Sequence, residues 1–328
     1  MLDETLLAAQ LGRCLDEVDL RDVFPTAVRY AGKVRDNFSL DGKRVIVVSD
    51  RISAFDVVLG TIPFKGQVLN QLAAWWFRES AAIAPSHFVA APDPNVTVAR
   101  ECTPLPVELV MRGYLTGVTS TSIWQHYAAG ERVYCGHRLP EGLTKNQPLA
   151  EPLLTPTTKA EKGGHDAPVS RAEILERGLV SEETFAAAEK MSLDLFRFGQ
   201  ARARERGLLL VDTKYEMGID RDGTLCLIDE IHTPDSSRYW YAADYEERMH
   251  KGEDPRALDK EYVRRWYANQ GYRGETMPPP PLDDVVRAEA ARRYVEAYET
   301  ITGRAFVPNT DEPQARIRRN LSQLGGWP

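Results

Sequence analysis

LLLVDTKYEMGIDRDGTLCLIDEIHTPDSSR, residues 208–238, is the stretch from which the rest of the chain is best read. Two apolar runs, LLLV and LCLI, flank Asp222-Gly223, a dipeptide favoured in two-residue type I′ hairpin loops. Such a loop pairs Arg221 with Thr224, and continuing the antiparallel register places Glu216 opposite Asp229. Directly opposed side chains have Cβ atoms about 4.5–5.5 Å apart. Two carboxylates at that distance repel unless a cation or a proton lies between them. Magnesium shared with a nucleotide is the expected cation. The period-2 alternation of a strand adds Asp212 and Lys214 to the face that carries Glu216, so acid, base and acid line up beside the metal. A solvated strand face with surface ion pairs explains DxKxE in isolation. The continuous apolar flanks favour strands covered on both sides, with the acids at the rim of a buried site. A bulge within residues 217–223 would shift this register.

Outward from the hairpin, Ser181 is placed to cap a helix whose stripe Phe185, Ala188, Ser192, Leu195, Phe196 and Gly199 is apolar or small and which Gly207 stops. PVELVMRGYL (106–115) reads as a buried strand entering a glycine-containing loop, and VLNQLAAWWFRES (68–80) as a helix. Residues 30–60 are β-rich, with RVIVVSD (44–50) the clearest strand and Asp41-Gly42 a tight turn before it. The segment 140–168 has no apolar period and is expected to be a long loop. Pro278–Pro281 form a stiff linker. Val286, Ala290, Tyr294, Ala297, Tyr298 and Ile301 mark a last amphipathic helix. Three regions are expected: a β-rich lobe over 1–105, an α+β lobe over 106–250, and a helical extension over 251–328 packed on the core.

The chain has 328 residues, 43% hydrophobic and 27% charged, enough to bury one large or two ordinary domains. Its net charge of −7 argues against general affinity for nucleic acid. No apolar run reaches the roughly 18 residues of a membrane span, and the N-terminus carries acids where a signal peptide carries bases, so a cytoplasmic location is expected. Cys14, Cys102, Cys135 and Cys226 form no metal-type pair and are expected to be buried thiols. Neither a Walker sequence nor a GxGxxG is present, which disfavours P-loop and dinucleotide-binding folds.

Local positive charge is nonetheless available. Gly32-Lys33-Val34-Arg35-Asp36 follows a strand end at Tyr30 and projects two bases toward a polyphosphate. Arg112-Gly113-Tyr114-Leu115-Thr116-Gly117 and Pro234-Asp235-Ser236-Ser237-Arg238 combine arginine forks with hydroxyl donors suited to a phosphate monoester. Thr155-Pro156-Thr157-Thr158-Lys159, continuing to Gly164-His165-Asp166, is the third such cluster. Each motif alone is also compatible with an ordinary surface turn.

Taken together, GKVRDNF (32–38), SDRISAFD (49–56), KGQVLNQLAAWWF (65–77), VMRGYLTG (110–117), EPLLTPTTKAEKGGHD (151–166), LVDTKYEMG (210–218) and DEIHTPDSSRYW (229–240) resemble, in order, the motifs of the phosphoribosylaminoimidazole-succinocarboxamide synthase (SAICAR synthetase) family. The resemblance covers about residues 25–245, and the long TPTTK form is similar to that of fungal-like and larger bacterial members. It implies an α+β fold with two lobes, similar to ATP-grasp and kinase-like enzymes, and ATP held between them. It implies that Gly32, Lys33 and Arg35 cover the ATP phosphates, that the chain near Arg100 and Cys102, with Glu108, completes the nucleotide site, and that Glu216 and Asp229 hold Mg2+. Asp212 and Lys214 are then the catalytic pair, with Asp212 as the base. Arg112, Asp235, Ser237 and Arg238, with Ser53, Asp56, Lys159, His165 and Asp166, are the implied substrate contacts. The implied reaction condenses carboxyaminoimidazole ribonucleotide with L-aspartate in purine biosynthesis, through an acyl phosphate formed from ATP. The implied partners are these small molecules, with no nucleic acid or membrane, in a monomer or weak homodimer. Family members commonly carry a serine after the RGYLTG glycine. Here Val118 follows, and Thr119, Ser120 or Ser122 is left to supply the hydroxyl.

Two other functions use parts of this constellation. A small-molecule kinase would share Glu216 and Asp229 but lack an amino-acid pocket, and a regulatory nucleotide-binding protein would grip phosphates without transferring them. Asp212, Lys214, Glu216 and Asp229 occurring together argue against the second, and aspartate-dependent phosphate release separates off the first.

Overall fold

A computed structural model describes residues 2–55, 57–119, 121–159, 167–258, 261–274 and 278–324. Helix α1 (Glu4–Gln10) precedes β1 (Val28–Ala31), β2 (Arg35–Leu40), β3 (Lys43–Val48), the ribbon β4 (Arg51–Ala54) and β5 (Val57–Thr61), α2 (Lys65–Glu79), β6 (Phe88–Asp93) and β7 (Val96–Arg100). The first sheet is antiparallel, in the order β1-β2-β3-β7-β6. Asp41 and Gly42 both take positive φ, 46° and 76°, between Leu40 and Lys43, which pair directly. This is the expected two-residue turn, and its twist matches that of the strands it joins.

The chain passes to a second sheet between Arg100 and Cys102, a few residues before position 105. There follow β8 (Cys102–Pro104), β9 (Val107–Tyr114), α3 (Ile123–Ala128), the ribbon β10 (Val133–Tyr134) and β11 (His137–Arg138), β12 (Pro148–Leu154), β13 (Thr157–Thr158), β14 (Ala167–Pro168), α4 (Arg171–Glu176), α5 (Glu182–Glu205), β15 (Leu208–Asp220), β16 (Leu225–Ile228) and β17 (Ser237–Tyr241). These build an eight-stranded sheet around β15, which pairs with β9 and β8 along one edge and with β17 and β16 along the other. The expected loop over 140–168 is corrected here: β12 and β13 add to β9, and β14 to β13. Their lack of apolar alternation follows from lying outside β9, where β12 buries only Leu154, carries two prolines and shifts register between Pro148 and Leu153.

The Ser181 hydroxyl accepts the N–H of Thr184, capping α5, and the predicted stripe from Phe185 to Gly199 is buried. Four more helices, α6 (Tyr245–His250), α7 (Glu261–Asn269), α8 (Asp284–Thr302) and α9 (Pro313–Ser322), complete the described chain; α7, α8 and α9 lie in the region expected to be a helical extension, of which only α8 was marked residue by residue. Val263, Tyr267, Ala290 and Tyr294 share one buried cluster with Ile46, Phe64, Val68 and Leu69, and Ile317 and Leu321 join Val45 and Val47 in another. The C-terminal helices thus cover the first sheet. The ion pair between fully buried Arg316 and Asp93 (2.9 Å) fastens α9 to β6.

Candidate active site

The β15–β16 hairpin carries a correction. Glu216 pairs with Ile228, not Asp229, because the loop has three residues, Arg221–Gly223, instead of two. Asp220 Oδ1 accepts the N–H groups of Asp222 (3.0 Å) and Thr224 (2.9 Å), and Gly223 alone takes positive φ in this turn, at 81°. A side chain outside the Asp-Gly dipeptide therefore sets the register. Asp229 stands just past the end of β16, at φ 69°.

Opposed carboxylates nevertheless occur, with a different partner. Tyr215 pairs with Leu109 and Lys214 with Val110, so one more step along the same register sets Glu216 against Glu108 on β9. Lys214 Nζ lies between them, 2.6 Å from Glu108 Oε1 and 3.2 Å from Glu216 Oε1, and Lys159 Nζ lies 2.6 Å from Glu216 Oε2. Burial pushes the Glu216 carboxyl up, but Lys214 and Lys159 override it and hold the group down at about 2. Burial lowers Lys214, and Glu216 and Glu108 more than reverse this, so the lysine stays charged. These lysines are the cations that the paired acids require.

Further along the same face, Asp212 pairs with Arg112 on β9 and with Arg238 on β17. Arg238 Nη1 donates to Asp212 Oδ2 at 2.9 Å, and Arg112 Nη1 lies 4.0 Å from the same oxygen. Arg112 Nε donates to Thr155 Oγ1 at 2.7 Å, and Ser237 and Thr213 hydroxyls are 2.7 Å apart. Asp212, Lys214, Glu216, Arg112, Arg238, Ser237 and Lys159 are thus gathered on or beside β15.

The first sheet faces this cluster across a cleft lined by Asn37, Arg44, His87, Arg100, Cys102, Glu216 and Asp229. Arg35, from β2, contacts the Asp229 carboxylate and places Nη2 2.6 Å from Glu230 Oε1. Gly32 and Lys33 form the β1–β2 turn, whose carbonyls accept from the Arg51 guanidinium. Arg100 donates to Asp220 Oδ2 (2.8 Å) and to the Ser86 carbonyl (2.6 Å), while the Cys102 thiol is raised to about 11, chiefly by burial. Burial, assisted by Arg44, Arg35 and Arg100, drives His87 down to about 3, which keeps it neutral in the cleft.

Other expected residues are placed differently. Asp235 accepts from Tyr294 Oη (2.7 Å) and pairs with fully buried Lys65 Nζ (2.9 Å). Ser53 is half-buried in the separate β4–β5 ribbon. Asp56, His165, Asp166 and Ser120 lie outside the described residues. Of the candidate hydroxyls after Gly117, Ser122 is buried and donates to the Thr119 carbonyl (2.7 Å). Lys65, His87, Glu230 and Tyr294 were not foreseen as site residues, whereas Thr155 belongs to the hydroxyl cluster read from the sequence. Glu230 adjoins the predicted Asp229, and Tyr294 was visible only as a helix position. Among the described residues, no three His, Cys, Asp or Glu side chains group to hold a metal.

A family model described as SAICAR synthetase matches residues 28–279. The chain is 52% identical over 297 residues to a putative phosphoribosylaminoimidazole-succinocarboxamide synthase 2 of Mesorhizobium japonicum, covering 89% of this chain and 94% of that one. It is 48% identical over 318 residues to the chloroplastic phosphoribosylaminoimidazole-succinocarboxamide synthase of Arabidopsis thaliana, covering 95% and 76%. Among solved structures, the SAICAR synthase of Saccharomyces cerevisiae complexed with SAICAR superposes with a TM-score of 0.76 at 30% identity, over 90% of this chain and all of that one.

Proposed function

The chain belongs to the SAICAR synthetase family, and from that premise we propose that it joins carboxyaminoimidazole ribonucleotide to L-aspartate at the expense of ATP. The observation that carries this is the alignment of Glu108, Lys214, Glu216 and Lys159 with Asp212, Arg112 and Arg238 on one sheet face, beside a cleft running to Cys102. The cleft between the two sheets suits the adenine end of ATP near Cys102 and its phosphates near Arg35, as in a two-lobed ATP-grasp or kinase-like enzyme.

Glu216 and Asp229 suit Mg2+: both line the cleft, Glu216 is held ionised, and Lys159, Lys214 and Arg35 stand on the two carboxylates as a cation would. A bound Mg2+ would need few protein ligands, since phosphate oxygens and waters would complete its shell, and it would neutralise phosphate charge. Arg112, Ser237 and Arg238 hold the ribose phosphate, and Asp235, gripped by Lys65 and Tyr294, orients their turn. An oxygen of the imidazole carboxylate attacks the terminal phosphorus of ATP, and ADP departs as the old P–O bond breaks. Lys214 and Lys159 offset the charge that builds in this step. The aspartate amine then attacks the acyl carbon, phosphate leaves, and Asp212 takes the amine proton. The three helices α7, α8 and α9 act as an extension that braces the first lobe, in a protein working in the cytoplasm on small molecules as a monomer or weak homodimer. The test is ADP release with carboxyaminoimidazole ribonucleotide, with and without aspartate. Amide formation that requires all three substrates is expected, and ADP release indifferent to aspartate would refute the assignment.

A further inference from the structure

We propose that Glu230 is a positioning residue that makes ATP and the imidazole nucleotide strengthen each other's binding, an inference that rests on the proposed function and extends it. Each oxygen of its carboxylate serves a different half of the site. Oε1 forms an ion pair with Arg35 Nη2, 2.6 Å away across the cleft on β2. Oε2 accepts the hydroxyl of Thr233, at the head of the turn that carries Asp235, Ser237 and Arg238.

Thr233 organises that turn. It is fully buried, and its Oγ1 accepts the N–H groups of Asp235 (3.3 Å) and Ser236 (3.4 Å). Its carbonyl accepts the N–H groups of Ser236 (3.1 Å) and Ser237 (2.9 Å). The Thr233 hydroxyl can give its one proton to a single acceptor, so donation to Glu230 fixes both lone pairs toward the turn backbone. The Ser237 hydroxyl then meets Thr213, and Arg238 meets Asp212. A continuous polar chain thereby runs from Arg35 through Glu230 and Thr233 to the groups proposed to bind the ribose phosphate.

The chain couples rather than merely joins, because Arg35 divides its fork between Asp229 and Glu230. Phosphate in the cleft competes for that fork. As Arg35 shifts toward it, Glu230 depends more on Thr233, since a carboxylate that is only 13% exposed cannot turn to water for replacement partners. The turn tightens in its binding arrangement, and by linkage a phosphate held by the turn favours the matching position of Arg35.

The test uses the full chain and calorimetric titration of a non-hydrolysable ATP analogue with Mg2+, with and without carboxyaminoimidazole ribonucleotide, aspartate omitted. In the unaltered protein each ligand is expected to tighten the other by about fivefold or more. Glu230→Gln and Thr233→Val should bring that factor close to one, while Thr233→Ser, which keeps the hydroxyl, retains it. Disruption of packing alone would change single-ligand affinities and leave the factor untouched. A factor of one in the unaltered protein, or an unchanged factor in Glu230→Gln, overturns the proposal. Should Glu230→Gln fail to fold, the contrast between Thr233→Val and Thr233→Ser decides on the same criterion. An unaltered protein that makes no amide from its three substrates refutes the function itself, whereas an active one whose variants keep full coupling refutes only the role of Glu230.

Discussion

The two faces of β15 differ in kind although they alternate along one strand. On one, Asp212, Lys214 and Glu216 are charged and held by other charges from β9, β17 and Lys159. On the other, Thr213, Tyr215 and Met217 are fully buried, and Tyr215 Oη lies 2.5 Å from His232 Nε2. His232 is itself enclosed: a Cβ on Gly199 of α5 would come within 2.4 Å of its ring. Charge on the first face is left where substrates can use it, while every polar atom on the second is an obligation to neighbours. Substitutions on the first face should therefore cost turnover, and those on the second should cost stability.

The hardest test of this division is Glu216→Gln. It deletes a metal-facing charge without changing volume, and turnover should fall about 10³-fold in protein that is still folded, although ending the pairs with Lys214 and Lys159 also lowers the melting temperature. Activity titrated against Mg2+ reads the effect, and an unaltered magnesium dependence would remove Glu216 from the metal site. Lys214→Met and Asp212→Asn should each cost about 10²-fold, at different steps. Rapid quench should show acyl-phosphate formation suppressed in Lys214→Met and retained in Asp212→Asn, with amide formation failing in the latter. Normal amide formation in Asp212→Asn would eliminate it as the base. Arg238→Ala is milder and selective: KM for the imidazole nucleotide should rise about 10- to 100-fold and KM for ATP little. Equal losses for both substrates would count against a phosphate contact. From the buried face, Tyr215→Phe strips His232 Nε2 of its partner. It should lower stability by about 1–2 kcal/mol in chemical denaturation while turnover stays near normal.

Acid should expose the same contrast. Burial lowers His232 to about 3, and burial with nearby arginines lowers His87 to about 3, against an ordinary value of 6.5. Between these values each imidazole gains its proton only on unfolding, so stability rises with pH across that window and is lost as pH falls below 6.5, by about 1.4 kcal/mol per pH unit for each group at full slope. Asp50 opposes them: burial raises it from 3.8 to about 6, so its contribution is present at low pH and disappears as pH rises through 6. Two imidazoles outweigh one carboxyl. Glu216 stays ionised to about 2, and its contribution is lost only as pH falls through that value. Acid inactivation should therefore follow unfolding, with midpoints from activity and circular dichroism coinciding. Activity lost well before structure would place a titrating group on the reactive face instead.

How much of this was legible in the sequence depended on how local its cause was. Asp41-Gly42 and Asp222-Gly223 are the same dipeptide between strands. The first behaved as its own geometry dictates, with both residues at positive φ. The second did not, because the Asp220 carboxylate captured two backbone N–H groups and made the loop one residue longer. The α5 stripe and its Ser181 cap were readable because helix period and capping involve residues within a few positions. The chemistry of β15 was readable too, since alternation alone puts Asp212, Lys214 and Glu216 on one face. The sequence by itself thus determined which side chains face the site and what charge they bring. Only the tertiary structure decided their partners. Lys214 meets Glu108 from 106 positions away, Lys159 reaches Glu216 across 57, and Tyr294 reaches Asp235 across 59. The physical reason is that such pairings depend on sheet order and register, and one residue of slip in a turn changes the partner of every carboxylate beyond it.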